Sequence, residues 1–264
     1  MSELWSAFYK RFNGKVEIHC FGKQAGDLDE YEISAIAHRL EVNTVLWPET
    51  HTFNAKICEP TELGQRKKIG RVTIRRGCLA DGVVIPLGQA ACLRSADCPT
   101  IVARHDFTTE VIAAHAGRES LIDEGRWKFA HPSRKDESIV DAVCRRLIRV
   151  GKRTRDIEIF SCCGVGANHF RHPTALGREH SLHNFLRNRY IVANYGSDCF
   201  LGNDTDDGAL DLHRLIARQC ESYRLPPDNI HHDAIDTARD REKFFSRRGG
   251  DPTGHNTILV IRRG

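Results

Sequence analysis

Two short runs, Thr100-Ile101-Val102-Ala103-Arg104 and Glu110-Val111-Ile112-Ala113-Ala114, constrain this chain more than any other feature. Both are rich in β-branched and small residues, and a polar turn around Asp106-Phe107-Thr108-Thr109 joins them, so they read as a β-hairpin. A hairpin returns its outer ends to one place. Cys98, just before the first run, and His115, just after the second, therefore become neighbours although 17 residues separate them. A thiol beside an imidazole makes either a metal site or an activated nucleophile.

The rest of the sequence supplies a mixed set of elements. Lys15 to Cys20 alternates as an early strand, and residues 29–40 carry apolar side chains at 33, 36, 37 and 40 with helical spacing. Further strands are expected at Arg71–Arg75, Gly82–Ile85, Ala90–Arg94, Ile157–Phe160 and Thr257–Ile261. The stretch from Glu59 to Gly70 reads as polar loop. One amphipathic helix begins at Asp136-Glu137-Ser138, carries Ile139, Val140, Val143, Leu147 and Ile148 on one face, and stops at Gly151. A second runs from Leu212 to Tyr223 behind Asp211. Strands and helices mix without a regular βαβ repeat or a phosphate-binding glycine fingerprint, which argues against a simple nucleotide-binding fold.

With 264 residues, 40% hydrophobic and 28% charged, the chain reads as one soluble domain, residues 1–264. Apolar runs fall well short of the ~20 residues that span a bilayer, and the first ten residues lack a secretory apolar core, so no membrane association and a cytoplasmic location are expected. The ten cysteines then read as reduced thiols, with Cys20, Cys58, Cys78, Cys92, Cys144, Cys199 and Cys220 as packing residues and Cys162 and Cys163 packed beneath a site. A net charge of +4, with the basic residues dispersed, gives no reason to expect nucleic acid and suits a small anion equally well.

Ser95-Ala96-Asp97-Cys98-Pro99 followed by Ala113-Ala114-His115-Ala116-Gly117 resembles the signature of the laccase-domain family, described both as polyphenol oxidases and as multifunctional purine nucleoside phosphorylases. Flanking segments agree in order: Trp47-Pro48-Glu49-Thr50-His51, Leu79-Ala80-Asp81-Gly82-Val83-Val84, and Phe244-Phe245-Ser246-Arg247-Arg248-Gly249-Gly250 with Thr253-Gly254. The likeness runs from about residue 40 to the end, and residues 1–40 are least similar. It implies an α/β (α+β) fold: a single layered α/β/β/α domain with mixed sheets, related to cysteine-dependent deamidase toxins.

For the site, the resemblance implies His51, Cys98 and His115 as ligands of a catalytic zinc, with copper as a chemically possible substitute. Such a donor set leaves one position open for water or substrate. Zinc lowers the pKa of bound water to about 7 and polarises electrophiles. A multicopper oxidase needs several His-X-His pairs, and the sequence has none. Arg247 and Arg248 match the family's terminal active-site motif, and arginine beside glycine suits phosphate. The expected activity is therefore zinc-dependent phosphorolysis of a purine nucleoside by phosphate, with adenosine deamination as a companion reaction and copper-dependent polyphenol oxidation as an alternative.

Two further alternatives stand beside it: a metal-free hydrolase or deamidase using Cys98 as nucleophile and His115 as base, and a non-catalytic binding protein. The last is raised by departures from the family pattern. Arg118-Glu119-Ser120 stands where Trp-Arg-Gly is usual, Thr253-Gly254-His255 where Thr-Gly-Arg is, and Asp236-Thr237 where Cys-Thr is. Arg94 reads as a partner of Asp97, and His169 and His172 as residues of an exposed loop.

Overall fold

The computed structural model describes residues 6–12, 14–50, 55–108, 110–122, 138–175 and 180–263. Its strands are β1 (Phe8–Phe12), β2 (Val16–Phe21), β3 (Thr44–Leu46), β4 (Ile57–Cys58), β5 (Gln65–Ile69), β6 (Val72–Arg76), β7 (Gly82–Ile85), β8 (Ala90–Ser95), β9 (Thr100–His105), β10 (Val111–His115), β11 (Ile157–Cys162), β12 (Ile230–His232) and β13 (Asn256–Arg262). They form two mixed sheets, one in the order β1-β2-β13-β8-β3-β6-β5 and the other in the order β12-β11-β9-β10-β7-β4. β13 runs antiparallel to both β2 and β8, which joins the two ends of the chain in the first sheet.

Side chains from strands of both sheets meet in one apolar core. Val16, Ile18, Leu93, Ile258 and Val260 come from the seven-stranded sheet, and Val83, Ile85, Val102, Ala113 and Phe160 from the six-stranded one. Because strand side chains alternate, the opposite faces remain to be covered. Ile33 and Ala37 of the Glu30–Arg39 helix cluster with Val45, Ile74, Leu259 and Ile261. Ile101, Ala103, Ile112, Ile157 and Ile159 cluster with the Ile139–Gly151, Ser181–Tyr195 and Leu212–Ser222 helices.

Both long amphipathic helices form where expected, each with a side-chain cap: Ser138 Oγ accepts from Asp141 N, and Asp211 Oδ1 accepts from Arg214 N at 2.9 Å. Such a cap contributes about 1 kcal/mol. The left-handed residue ending the first helix is Lys152 (φ 65°), one past Gly151, which closes the helix itself. Two segments differ from the sequence reading. Residues 65–69 are an edge strand rather than loop; Gln65 to Lys68 are exposed, so no apolar alternation marks them, and pairing to β6 decides their conformation. The 15-residue helix Ser181–Tyr195 was not expected; Asn184, Arg187 and Asn188 are among its buried residues, so its inward face carries polar as well as apolar groups.

Candidate active site around Cys98 and His115

The hairpin brings the thiol and the imidazole together. β9 and β10 pair antiparallel with His115 opposite Thr100, and the Cys98 and His115 side chains lie close enough to interact. β7 lies on the other side of β10, and Gly82 permits the approach: a Cβ there would meet Ala114 Cβ at 2.9 Å. His115 N donates to Asp81 O at 2.7 Å, and its ring Nδ1 stands 3.7 Å from Asp81 Oδ1. Asp81 Oδ2 in turn accepts from Ala55 N at 2.9 Å. Burial disfavours the imidazolium, but the neighbouring Asp81 carboxylate and Cys98 thiol outweigh it and raise the His115 pKa to about 9. Cys98, His115 and Asp81 thus stand together, with the buried carboxylate 3.7 Å from the ring.

Asp97 holds the neighbouring loop. It is buried and has φ 93°, a backbone region in which non-glycine residues are strained by about 1–3 kcal/mol. Its carboxylate accepts from Thr237 Oγ1 at 2.8 Å, from Ser246 Oγ, and from Arg248 N at 2.8 Å, and its carbonyl accepts from Val165 N at 2.8 Å. Arg94 is not its partner. That guanidinium stacks over the Trp47 ring at 4.7 Å and lies 3.6 Å from Asp27. Hydroxyls and backbone amides saturate Asp97 instead, which ties the Phe244–Gly250 segment to the residue before Cys98.

That tie separates the two adjacent arginines. Arg248 lies over the Phe170 ring at 4.9 Å, close enough to Cys98 and Arg118 to feel both charges; burial first, then Arg118, lowers its pKa, against the pull of Asp97 and Cys98. Arg247 turns to the exposed side, donating to Asp251 O at 3.1 Å with His255 Nε2 at 3.4 Å. Arg118 points a terminal nitrogen at His172 Nδ1, 3.1 Å away, and pairs with Glu119. His172 is buried rather than in an exposed loop, because it packs edge-on against Phe170 at 4.5 Å. Burial, then the charges of Arg118, Arg187 and Arg248, push its pKa down to about 2, so it stays neutral. His169 is exposed and bonds Asp236 Oδ2 at 2.7 Å.

Cys162 and Cys163 sit deep in the core between the sheets, as their reading as packed residues requires. They have company there: Cys162, Cys163 and Asp233 place one ligand atom each within 4.8 Å of one another, a group that could hold a metal ion. His51 lies outside the described residues. Asp81 stands in a segment whose order was legible but whose role was not. Arg118 was visible only as a departure from the pattern, and nothing local marks His172 or Asp233.

The two mixed sheets with the Cys98–His115 hairpin define a class of mixed α/β protein. The chain belongs to the family described as multi-copper polyphenol oxidoreductase laccase, whose model matches residues 31–263. Its fold is similar to that of YlmD from Geobacillus stearothermophilus (TM-score 0.70, 16% identity, 100% of this chain and 98% of that one). It is also similar to the hypothetical protein YfiH of Bacillus licheniformis (TM-score 0.68, 15% identity, 94% and 93%) and to Neisseria meningitidis protein NMB0706 (TM-score 0.67, 14% identity, 97% and 99%). No curated protein matches the sequence. Among the described residues no helix is long and apolar enough to cross a membrane.

Proposed function

We propose that the protein is a metal-dependent purine nucleoside phosphorylase, with purine nucleoside and phosphate as substrates. The observation that supports this reading best is the pair of guanidinium groups near Cys98: Arg248 over the Phe170 ring, and Arg118, paired with Glu119, against neutral His172. Planar guanidinium groups converging next to a thiol and an imidazole suit a phosphate anion.

The donor chemistry fits a zinc ion. Cys98 and His115 would supply a sulfur and a nitrogen, and the Asp81 carboxylate, 3.7 Å from the His115 Nδ1, lies where a metal-bound histidine usually finds its carboxylate support. His51 is the third ligand in this proposal; the described residues on either side of it are anchored here, Glu49 O accepting from Ala80 N at 3.1 Å and Ala55 N donating to Asp81. When bound, the metal would supply Lewis-acid polarisation of the substrate, which also suits the companion deamination. Copper fits the same donors.

The chain's own residues do the remaining work. Arg248 and Arg118 bind and orient phosphate, and Asp97 fixes Arg248 by its backbone. A phosphate oxygen then forms a bond to the anomeric carbon while the carbon–nitrogen bond breaks; the purine leaves with the electron pair and takes a proton from water. Purified protein incubated with inosine or adenosine should release free base and ribose 1-phosphate only when phosphate is present. Equal base release without phosphate would overturn the reading.

The same three residues favour a second reading. Cys98, His115 and Asp81 also stand in the order nucleophile, base and orienting acid, which is the arrangement of a metal-free cysteine hydrolase or deamidase. Metal analysis of untagged protein separates them: one zinc equivalent lost in Cys98→Ala supports the phosphorylase, and a metal content unchanged in Cys98→Ala, with selective alkylation at Cys98 in the wild type, supports the hydrolase.

A further inference from the structure

A second set of donors lies in the core, at the end of β11. Cys162 ends β11, and in a regular strand the next side chain would point to the opposite face. Cys163 does not continue the strand. Its φ of 59° is left-handed, a conformation costing a residue with a Cβ roughly 1–2 kcal/mol, and it leaves both thiols in reach of the same carboxylate. Asp233 is placed for them. Its N donates to Ser161 O at 3.2 Å, its Oδ2 accepts from Cys163 N at 3.0 Å, and its Oδ1 accepts from Ile235 N at 3.3 Å. Each oxygen keeps acceptor capacity for a cation.

Cys20 of β2, on the other sheet, is fully buried and shares the core cluster of Cys162 and Cys163, but it stands outside the set of donors that lie within 4.8 Å of one another. Ordinary core packing does not call for a carboxylate beside two buried thiols, and a strained backbone that gathers such donors is a pointer to function.

We propose that Cys162, Cys163 and Asp233 form a buried site for a thiophilic d10 cation, Zn(II) or Cu(I), separate from the Cys98–His115 pair. Two sulfur donors and one oxygen leave a fourth position for water at tetrahedral zinc, and the two sulfurs alone suit Cu(I). Binding displaces the thiol protons to solvent and ties the end of β11 to the residue that follows β12. Asp233 is partly exposed, whereas the two cysteines are buried, so the carboxylate marks the side from which an ion enters.

The test uses the untagged full-length chain carrying Cys98→Ala and His115→Ala, loaded separately with Zn(II) and with Cu(I) under reducing conditions and then dialysed. One tightly held equivalent of either ion is expected, and the ion retained identifies the metal. Cobalt(II) in its place should give the intense sulfur-to-metal charge-transfer absorption of thiolate ligation. Adding Cys163→Ala should remove the bound ion, and adding Asp233→Asn, which preserves side-chain shape, should weaken binding at least tenfold with an unchanged circular dichroism spectrum. A folded Cys98→Ala/His115→Ala protein that holds neither ion would overturn the proposal, as would undiminished binding in the Asp233→Asn protein. Metal loss on mutating Cys98 and His115 alone bears on the phosphorylase reading and leaves this one standing.

Discussion

Cys98 and the Cys162–Cys163 pair carry the same functional group in opposite surroundings. Cys98 is partly exposed at the foot of a hairpin, with His115 beside it and the Arg248 guanidinium near by. Cys162 and Cys163 are buried, and their nearest polar company is another thiol and one carboxylate. The mutual hydrogen bond between the two thiols, contact with Cys20 and burial push the Cys163 pKa well up; burial likewise raises that of Asp233, to about 6. A cationic rim that reaches solvent suits anionic substrates. A neutral interior favours protonated groups until a metal ion replaces the protons. The difference lies in the neighbours, which the fold supplies.

The comparison breaks most directly at the hairpin. Cys98→Ala and His115→Ala should each abolish turnover and the metal bound there while leaving the fold largely intact, as circular dichroism and metal analysis would show, whereas Cys162→Ala should be milder in activity. Full metal occupancy at this pair in both rim variants would remove its catalytic reading. Asp97→Ala should come next: with three donors left unmatched in the interior, it should lower stability by about 3 kcal/mol in urea unfolding and loosen the Arg248 segment. A loss under half of that would show that the loop holds without its carboxylate.

A smaller effect is expected from Arg248→Ala, which should raise the KM for phosphate about tenfold, the loss of one charge-assisted contact. Arg247→Ala, turned away towards Asp251, should change it little. The reverse ranking would mean that phosphate approaches from the other side. The mildest test is a titration. Asp81→Asn should lower the His115 pKa from about 9, followed by NMR of the imidazole. Because folding raises that pKa above its ordinary value of 6.5, His115 contributes stability fully present below pH 6.5 and lost as pH rises through about 9. The metal-free wild type should therefore lose stability over that interval, and Asp81→Asn should lose less. Identical profiles would assign the proton to another group.

The Cys98–His115 contact was legible because the hairpin that makes it is local: two β-branched runs and a polar turn fix the ends whatever else the chain does. The expected strands at β2, β6 to β8, β11 and β13 formed for the same reason, as did the helices led by Ser138 and Asp211, whose caps and apolar spacing lie within a few residues. The edge strand β5 and the helix Ser181–Tyr195 were not, since one shows no apolar alternation and the other buries amide and guanidinium groups on its inner side.

What the sequence determined by itself is thus the set of local elements and the one thiol–imidazole pair within a single hairpin. Only the tertiary structure decided that Asp81 stands beside His115, that Thr237 and Ser246 rather than Arg94 satisfy Asp97, that Arg248 and not Arg247 lies near Cys98, and that Asp233 meets the Cys162 and Cys163 thiols, 71 and 70 residues earlier in the chain. These contacts bridge strands and loops far apart in sequence, and a buried polar group takes whichever partner the packed layers bring within hydrogen-bonding distance, because leaving it unmatched costs about 1–3 kcal/mol.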